Sequence, residues 1–366
     1  MTLLAGVPAS SAAEPGPGLV VNVEPPTISG EAVFDEVLEA SPGTWEPAEA
    51  TWTYTYAWLR DGRVVQGADR RRYRLALDDL EHRLAVRVTA TDETGESATA
   101  TSEETSRVVR APLRNKRAPE IEGTVRFTHT VRATPGRWST EPTRIRYQWF
   151  RSGHPIKGAT RPRYRFVPVD VGRRVRVQVT VKAPGHQRAR QMSPRLGRVG
   201  HRVDVRRTVS YHVETRGPIT TSVKVFRRQA QQSFSDPRGW RGAGIRFRPV
   251  ARGGGFTLVL AAASRMTSFS SACSPMWSCR VGRYVVINQE RWKHASPAWN
   301  AAKGSLRGYR HMVVNHETGH WLGLGHAGCP GNGRPAPVMM QQSKGLDGCT
   351  FNPWPTGSEL ASRSPG

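Results

Sequence analysis

The first 200 residues alternate apolar and polar side chains in short runs broken by Pro, Gly and Asp, which predicts β-strands joined by tight turns. Tyr54, Tyr56 and Trp58 fall on one strand face. Landmarks then recur. Pro42-Gly-Thr-Trp45, Tyr56-Ala-Trp-Leu-Arg-Asp-Gly62, Tyr73 and Asp79 are answered by Pro135-Gly-Arg-Trp138, Tyr147-Gln-Trp-Phe-Arg-Ser-Gly153, Tyr164 and Asp170. The spacing, 93 residues at the first landmark and 91 at the others, reads as two copies of one unit, at 21–110 and 119–200, joined by a polar linker at 111–118. A tryptophan in mid-strand predicts a β-sandwich with the indole at its centre. Beyond residue 200 the pattern changes. Strands are expected near 208–214, 245–248, 256–262 and 284–288, an amphipathic helix over 219–234, and a second helix over 305–322 with Ser305 as N-cap. The fold expected is therefore multidomain: two all-β sandwiches followed by an α+β domain at 205–360.

The second helix carries the chemistry. His316-Glu-Thr-Gly-His-Trp-Leu-Gly-Leu-Gly-His326 has the spacing HExxHxxGxxH. His316 and His320, four apart, share one helix face and can grip one ion. His326, six further on, would point away if the helix continued, so the chain must turn, and Gly323 supplies the freedom to do so. Zinc (Zn2+) is the expected metal. With three imidazoles as ligands it keeps an open position, where a water becomes acidic enough to act as a nucleophile near neutral pH. Glu317 is placed to take the proton as general base. His311 lies off this face and is read as a non-ligand.

Four cysteines allow three pairings. The sequence-local choice joins Cys273 to Cys279 and Cys329 to Cys349, which implies an oxidising compartment; free thiols or a metal site are the alternatives. Small residues before Glu14 look like the end of a signal peptide, so 1–20 reads as a leader remnant or a tail, and the protein as secreted or surface-associated. No apolar run is long enough to span a membrane. The charge of +25 is unevenly spread: residues 1–110 are net acidic, whereas 111–200 carry 21 basic against 4 acidic side chains. A surface of that kind attracts polyanions such as acidic cell-envelope polymers, or simply follows from an Arg-rich composition. No nucleic-acid motif is visible.

The histidine motif resembles that of the metzincin peptidases. In that family a methionine turn underlies the metal; Pro337-Val-Met-Met340 is its counterpart, with Met339 as the first choice and Met340 the alternative. The resemblance implies an endopeptidase that binds an extended protein or peptide substrate beside an edge strand, with 284–288 as a neighbour of the cleft. No Tyr follows the methionines as an extra ligand, and Ala327 stands where better-known subfamilies place Asp or Ser. Residues 205–360 also look like an uncharacterised exported actinobacterial family, through pieces such as Cys273-Ser-Pro, Val286-Ile-Asn and Asn352-Pro-Trp-Pro. The two repeats resemble Ig-like modules of actinobacterial surface proteins. Two other functions fit the same residues: a catalytically silent, zinc-containing envelope-binding protein, and a zinc hydrolase of peptidoglycan cross-links.

Overall fold

A computed structural model describes residues 20–363; the leader expected at 1–20 lies outside them except for its last residue. The chain forms two compact units. One runs up to Glu120 and includes Pro135–Tyr147 and Gln178–Ser193; the other holds Ile121–Thr134, Gln148–Val177 and the chain from Pro194 onward.

In the first unit, the first repeat is a two-sheet sandwich. Strands Thr27–Ser29, Val37–Ser41 and Arg72–Arg74 form one sheet, and Arg63–Val64, Thr53–Arg60, Leu84–Thr91 and Ser97–Thr101 the other. Alternation along Thr53–Arg60 and Leu84–Thr91 sends Trp58, Val86, Val88 and Ala90 inward, where all four are fully buried. The Trp58 indole donates to the Arg70 carbonyl at 2.9 Å and stacks on Tyr73. The Tyr73 hydroxyl donates to Asp79, which also accepts from Arg60 and from the Ala76 amide.

Strands Arg144–Arg151, His154–Pro155, Arg163–Arg165 and Val175–Lys182 recur 91 residues after their first-repeat counterparts. The interactions recur as well. Within the second unit, Trp149 donates to the Arg161 carbonyl and stacks on Tyr164, whose hydroxyl donates to Asp170, and Asp170 accepts from Arg151 and the Val167 amide. The aromatic and acidic landmarks are thus one buried assembly used twice.

The C-terminal part of the second unit is built on a five-stranded sheet. Its elements are β1 (Arg207–Arg216), α1 (Val223–Ser235), β2 (Ile245–Pro249), β3 (Phe256–Ala261), β4 (Cys279–Val281), β5 (Tyr284–Asn288), α2 (Gln289–His294), α3 (Pro297–Ala301), α4 (Leu306–Trp321) and α5 (Gly357–Ser362). Strand order is β2-β1-β3-β5-β4; all neighbours are parallel except β4, which runs antiparallel along β5 at the edge. Every residue of β3 is buried, as a central parallel strand requires. α1 begins at Val223, four residues later than the apolar pattern suggested, because the Ser222 hydroxyl caps it by accepting from the Val225 amide. α4 has its expected N-cap: Ser305 accepts from the Gly308 amide at 3.0 Å. The helix is buried along Met312–Gly319, packed through Tyr309, Met312, Val313 and Val314 into the core formed with the sheet. Both sequence-local cystines are present, Cys273–Cys279 and Cys329–Cys349. No helix among the described residues is long and apolar enough to cross a membrane.

Candidate metal centre

The buried face of α4 fixes the first two histidines. The His316 Nε2 and His320 Nε2 atoms lie 3.1 Å apart. The helix stops as required: the Gly323 amide bonds to the His320 carbonyl, and Gly323 takes φ +89°, a left-handed conformation that few side chains tolerate. The turned chain brings His326 Nε2 to 3.1 Å from His320 Nε2. Exposure rises from buried His316 through His320 to exposed His326, so the trio opens outward.

The outer ring nitrogens decide what this cluster can hold. His316 Nδ1 donates to the Val338 carbonyl and His320 Nδ1 to the Leu324 carbonyl, each at 2.8 Å. Burial holds the His316 pKa down at about 3 and also lowers those of His320 and His326, so the rings are neutral near pH 7. A neutral ring that donates through Nδ1 has a bare lone pair on Nε2. Two such lone pairs face each other at 3.1 Å with no proton between them, an arrangement that a cation relieves. Tetrahedral zinc with Zn–N distances of about 2.0–2.1 Å separates its ligand atoms by roughly 3.3 Å, close to the spacing found. The residues therefore fit a divalent ion of the zinc type.

Glu317 is 5 % exposed and lines the same cleft, but is not one of the converging donors. Among the described residues it has no hydrogen-bond partner, and burial pushes its pKa up to about 8. The cleft has a volume of about 620 Å³ and is bounded by the three histidines, by Ser278, Cys279 and Arg280 at edge strand β4, and by Met340–Lys344. β5, expected beside the cleft, lies inside the sheet instead; β4 takes the edge. The three residues of β4, Cys-Arg-Val, are too few to carry a strand signal, which is why the sequence did not reveal it.

Met339 is buried beneath α4, its sulphur against Gly319: a Cβ added at Gly319 would lie 2.2 Å from that sulphur. Met340 also has a buried side chain, and it lines the cleft. His311 stands apart, hydrogen-bonded to Ser233 at 2.8 Å and with its ring tilted against that of Trp354. Sequence reasoning missed Glu359. Its carboxylate accepts from the Val338 and Met339 amides at 3.1 and 2.9 Å and from the Thr356 amide. Because the Val338 carbonyl holds His316, Glu359 fixes that histidine through one peptide segment. The Thr-x-x-Glu capping box at 356–359 was the available signal.

A family described as "Protein of unknown function (DUF3152)" matches residues 180–356, the stretch that contains the histidines. No curated protein matches the chain. Similar solved structures are modules in tandem. The three N-terminal domains of the bacteriophage RB49 Highly Immunogenic Outer Capsid protein are 16% identical over 53% of this chain, with TM-score 0.23, and this chain spans 65% of that one. Tandem Ig repeats of Dlar are 12% identical over 47% of this chain and 96% of theirs, with TM-score 0.15. Sidekick-1 immunoglobulin domains 1–5 are 19% identical over 54% and 42%, with TM-score 0.20.

Proposed function

We propose that the domain at 205–360 is a metzincin-like zinc endopeptidase acting outside the cytoplasm. One observation carries this reading: the Nε2 atoms of three histidines converge in a cleft whose wall also holds Glu317, a buried carboxylate with no hydrogen-bond partner among the described residues. Zinc, when bound there, supplies a Lewis acid that acidifies water and polarises a carbonyl. His316, His320 and His326 hold the ion, with His316 and His320 oriented by the Val338 and Leu324 carbonyls. Glu317 accepts the proton of the attacking water on its carboxylate and passes it to the departing amine nitrogen. Burial alone favours the protonated form of Glu317; positive charge among the imidazoles returns it to the base form. The free edge of β4 offers backbone groups to an extended peptide. The two cystines support an oxidising compartment.

A second reading keeps the chemistry and changes the substrate. Arg280 and Lys344 line the cleft, and Glu317 is the one acidic residue among the described residues that line it, which favours a substrate bearing carboxylates such as a peptidoglycan stem peptide. Mass spectrometry of the metal, run beside cleavage of casein and of peptidoglycan fragments, tests both readings. About one zinc per chain is expected, and His326→Ala should lose it. A folded protein with no affinity for zinc would overturn the proposal.

A further inference from the structure

The two repeats present the same sheet face with different chemistry. In the first, the outward positions Thr53 and Thr55 on one strand, Thr89 and Thr91 on the next, and Ser97 and Thr99 on the third are hydroxyl-bearing and uncharged. Ninety-one residues on, the same positions are Arg144, Arg146, Thr180, Lys182, Arg188 and Arg190. Five of the six have become cations, all exposed, and none forms an ion pair among the described residues.

These side chains share one surface. Arg144, Arg146, Gln178, Thr180, Lys182, Arg188 and Arg190 line a shallow groove of about 150 Å³. The strands beneath are in register: Thr180 lies opposite Arg190, and the Thr143 amide bonds to the Lys182 carbonyl. Ile145, Tyr147, Val179, Val181 and Ala189 on the opposite face pack into the core. The sandwich has no need of cations here, since the first repeat folds with Thr and one Ser at the same places. Like charges on adjoining strands cost stability, so an external anion is the natural counterpart.

We infer that this face of the second repeat is a docking surface for a linear phosphodiester polymer without bases, of the polyol-phosphate type. Arg pairs with phosphate through two parallel hydrogen bonds. Alternate residues on a strand lie about 6.7 Å apart, which sets the spacing of Arg144 from Arg146 and of Arg188 from Arg190. Three backbone bonds of a chain span at most about 3.5 Å, so the six-bond repeat of a glycerol phosphate polymer spans about 7 Å. The groove has no aromatic side chain on which a base could stack and no apolar side chain to enter a bilayer.

The test measures binding of the full chain to immobilised poly(glycerol phosphate) at 50 and 200 mM salt. Five phosphate contacts on a flexible polyanion, at a slope of about 0.7 each, predict about a 100-fold loss of affinity over that range. The variant Arg144→Thr, Arg146→Thr, Lys182→Thr, Arg188→Ser, Arg190→Thr restores the first repeat's residues. It should bind at 50 mM no better than the parent does at 200 mM. A control removes five exposed cations elsewhere, Lys224, Arg227, Arg228, Arg248 and Arg252, each to Gln, and should keep most of the affinity. Thermal midpoints verify folding, and Lys182→Glu with Arg188→Glu serves as a smaller second variant with the same expected direction. Equal loss in the face and control variants would overturn the proposal by reducing the effect to bulk charge. So would tighter binding of a single-stranded DNA oligonucleotide of equal charge through the same five residues.

Discussion

Asp170 in the second repeat and Glu317 in the C-terminal domain are both buried carboxylates, and they are treated in opposite ways. Asp170 is fully buried and accepts from Arg151, the Tyr164 hydroxyl and the Val167 amide; Asp79 repeats the pattern in the first repeat. Glu359 is similarly committed, to three amides and the Thr356 hydroxyl. Glu317 accepts from none of the described residues and opens on the cleft. Buried polar groups are costly unless partnered. Where every acceptor site is filled, the carboxylate is an architectural part. Where a buried carboxylate stays unpartnered beside three converging imidazole nitrogens, its capacity is left for something that arrives.

The comparison makes unequal predictions for stability. Asp170→Ala strands the Arg151 guanidinium and should lower unfolding free energy by about 3–5 kcal/mol, read by urea denaturation. Glu317→Gln replaces an unpartnered buried carboxyl, which burial keeps largely protonated near pH 7, with a neutral amide, and should leave the urea midpoint of the metal-free protein unchanged or slightly raised. A loss in Glu317→Gln as large as that in Asp170→Ala would break the distinction. Next in size, replacing Cys329 and Cys349 together by Ser releases a loop of 21 residues and should cost about 3 kcal/mol. Glu359→Gln should weaken zinc binding about 10–100-fold in a chelator competition, because outer partners set the orientation of a ligand. Unchanged affinity there would mean that the 338–339 segment holds His316 without it.

A further effect is with pH. Burial lowers the His201 and His311 pKa values to about 4 in the folded chain, against an ordinary value of 6.5. The unfolded chain therefore takes up protons first as pH falls. The share of stability carried by these two histidines in the metal-free protein should be level above about pH 6.5 and decline from there to about pH 4. Replacing His311 with Gln should flatten that decline, which urea midpoints at several pH values would reveal.

Much of the site was legible because helix geometry is rigid. His316 and His320 share a face for any α4 of this register, and Gly323 announced the turn that returns His326. The cysteine pairs were legible because each joins near neighbours in sequence. The repeats were legible because Trp58, Tyr73 and Asp79 act together, so their spacing had to recur. Other parts depend on contacts that spacing does not encode. Gly319 occupies an x position of the motif, and its need for a missing side chain arises only from Met339, twenty residues away. Glu359 reads locally as a cap, and its second task, on Val338 and Met339, exists only once the chain has folded back. The parallel order of the sheet and the edge position of β4 follow from crossovers rather than from any local pattern.

The central claim is most directly tested by the rate at which zinc-loaded protein cleaves a peptide, measured for the parent chain and for Glu317→Gln at matched metal content. The account predicts equal zinc in both and a rate about 10²–10⁴-fold lower in the variant, the share a general base contributes. Equal cleavage by the two proteins would contradict it, as would a parent chain that holds zinc yet cleaves neither protein nor peptidoglycan peptides.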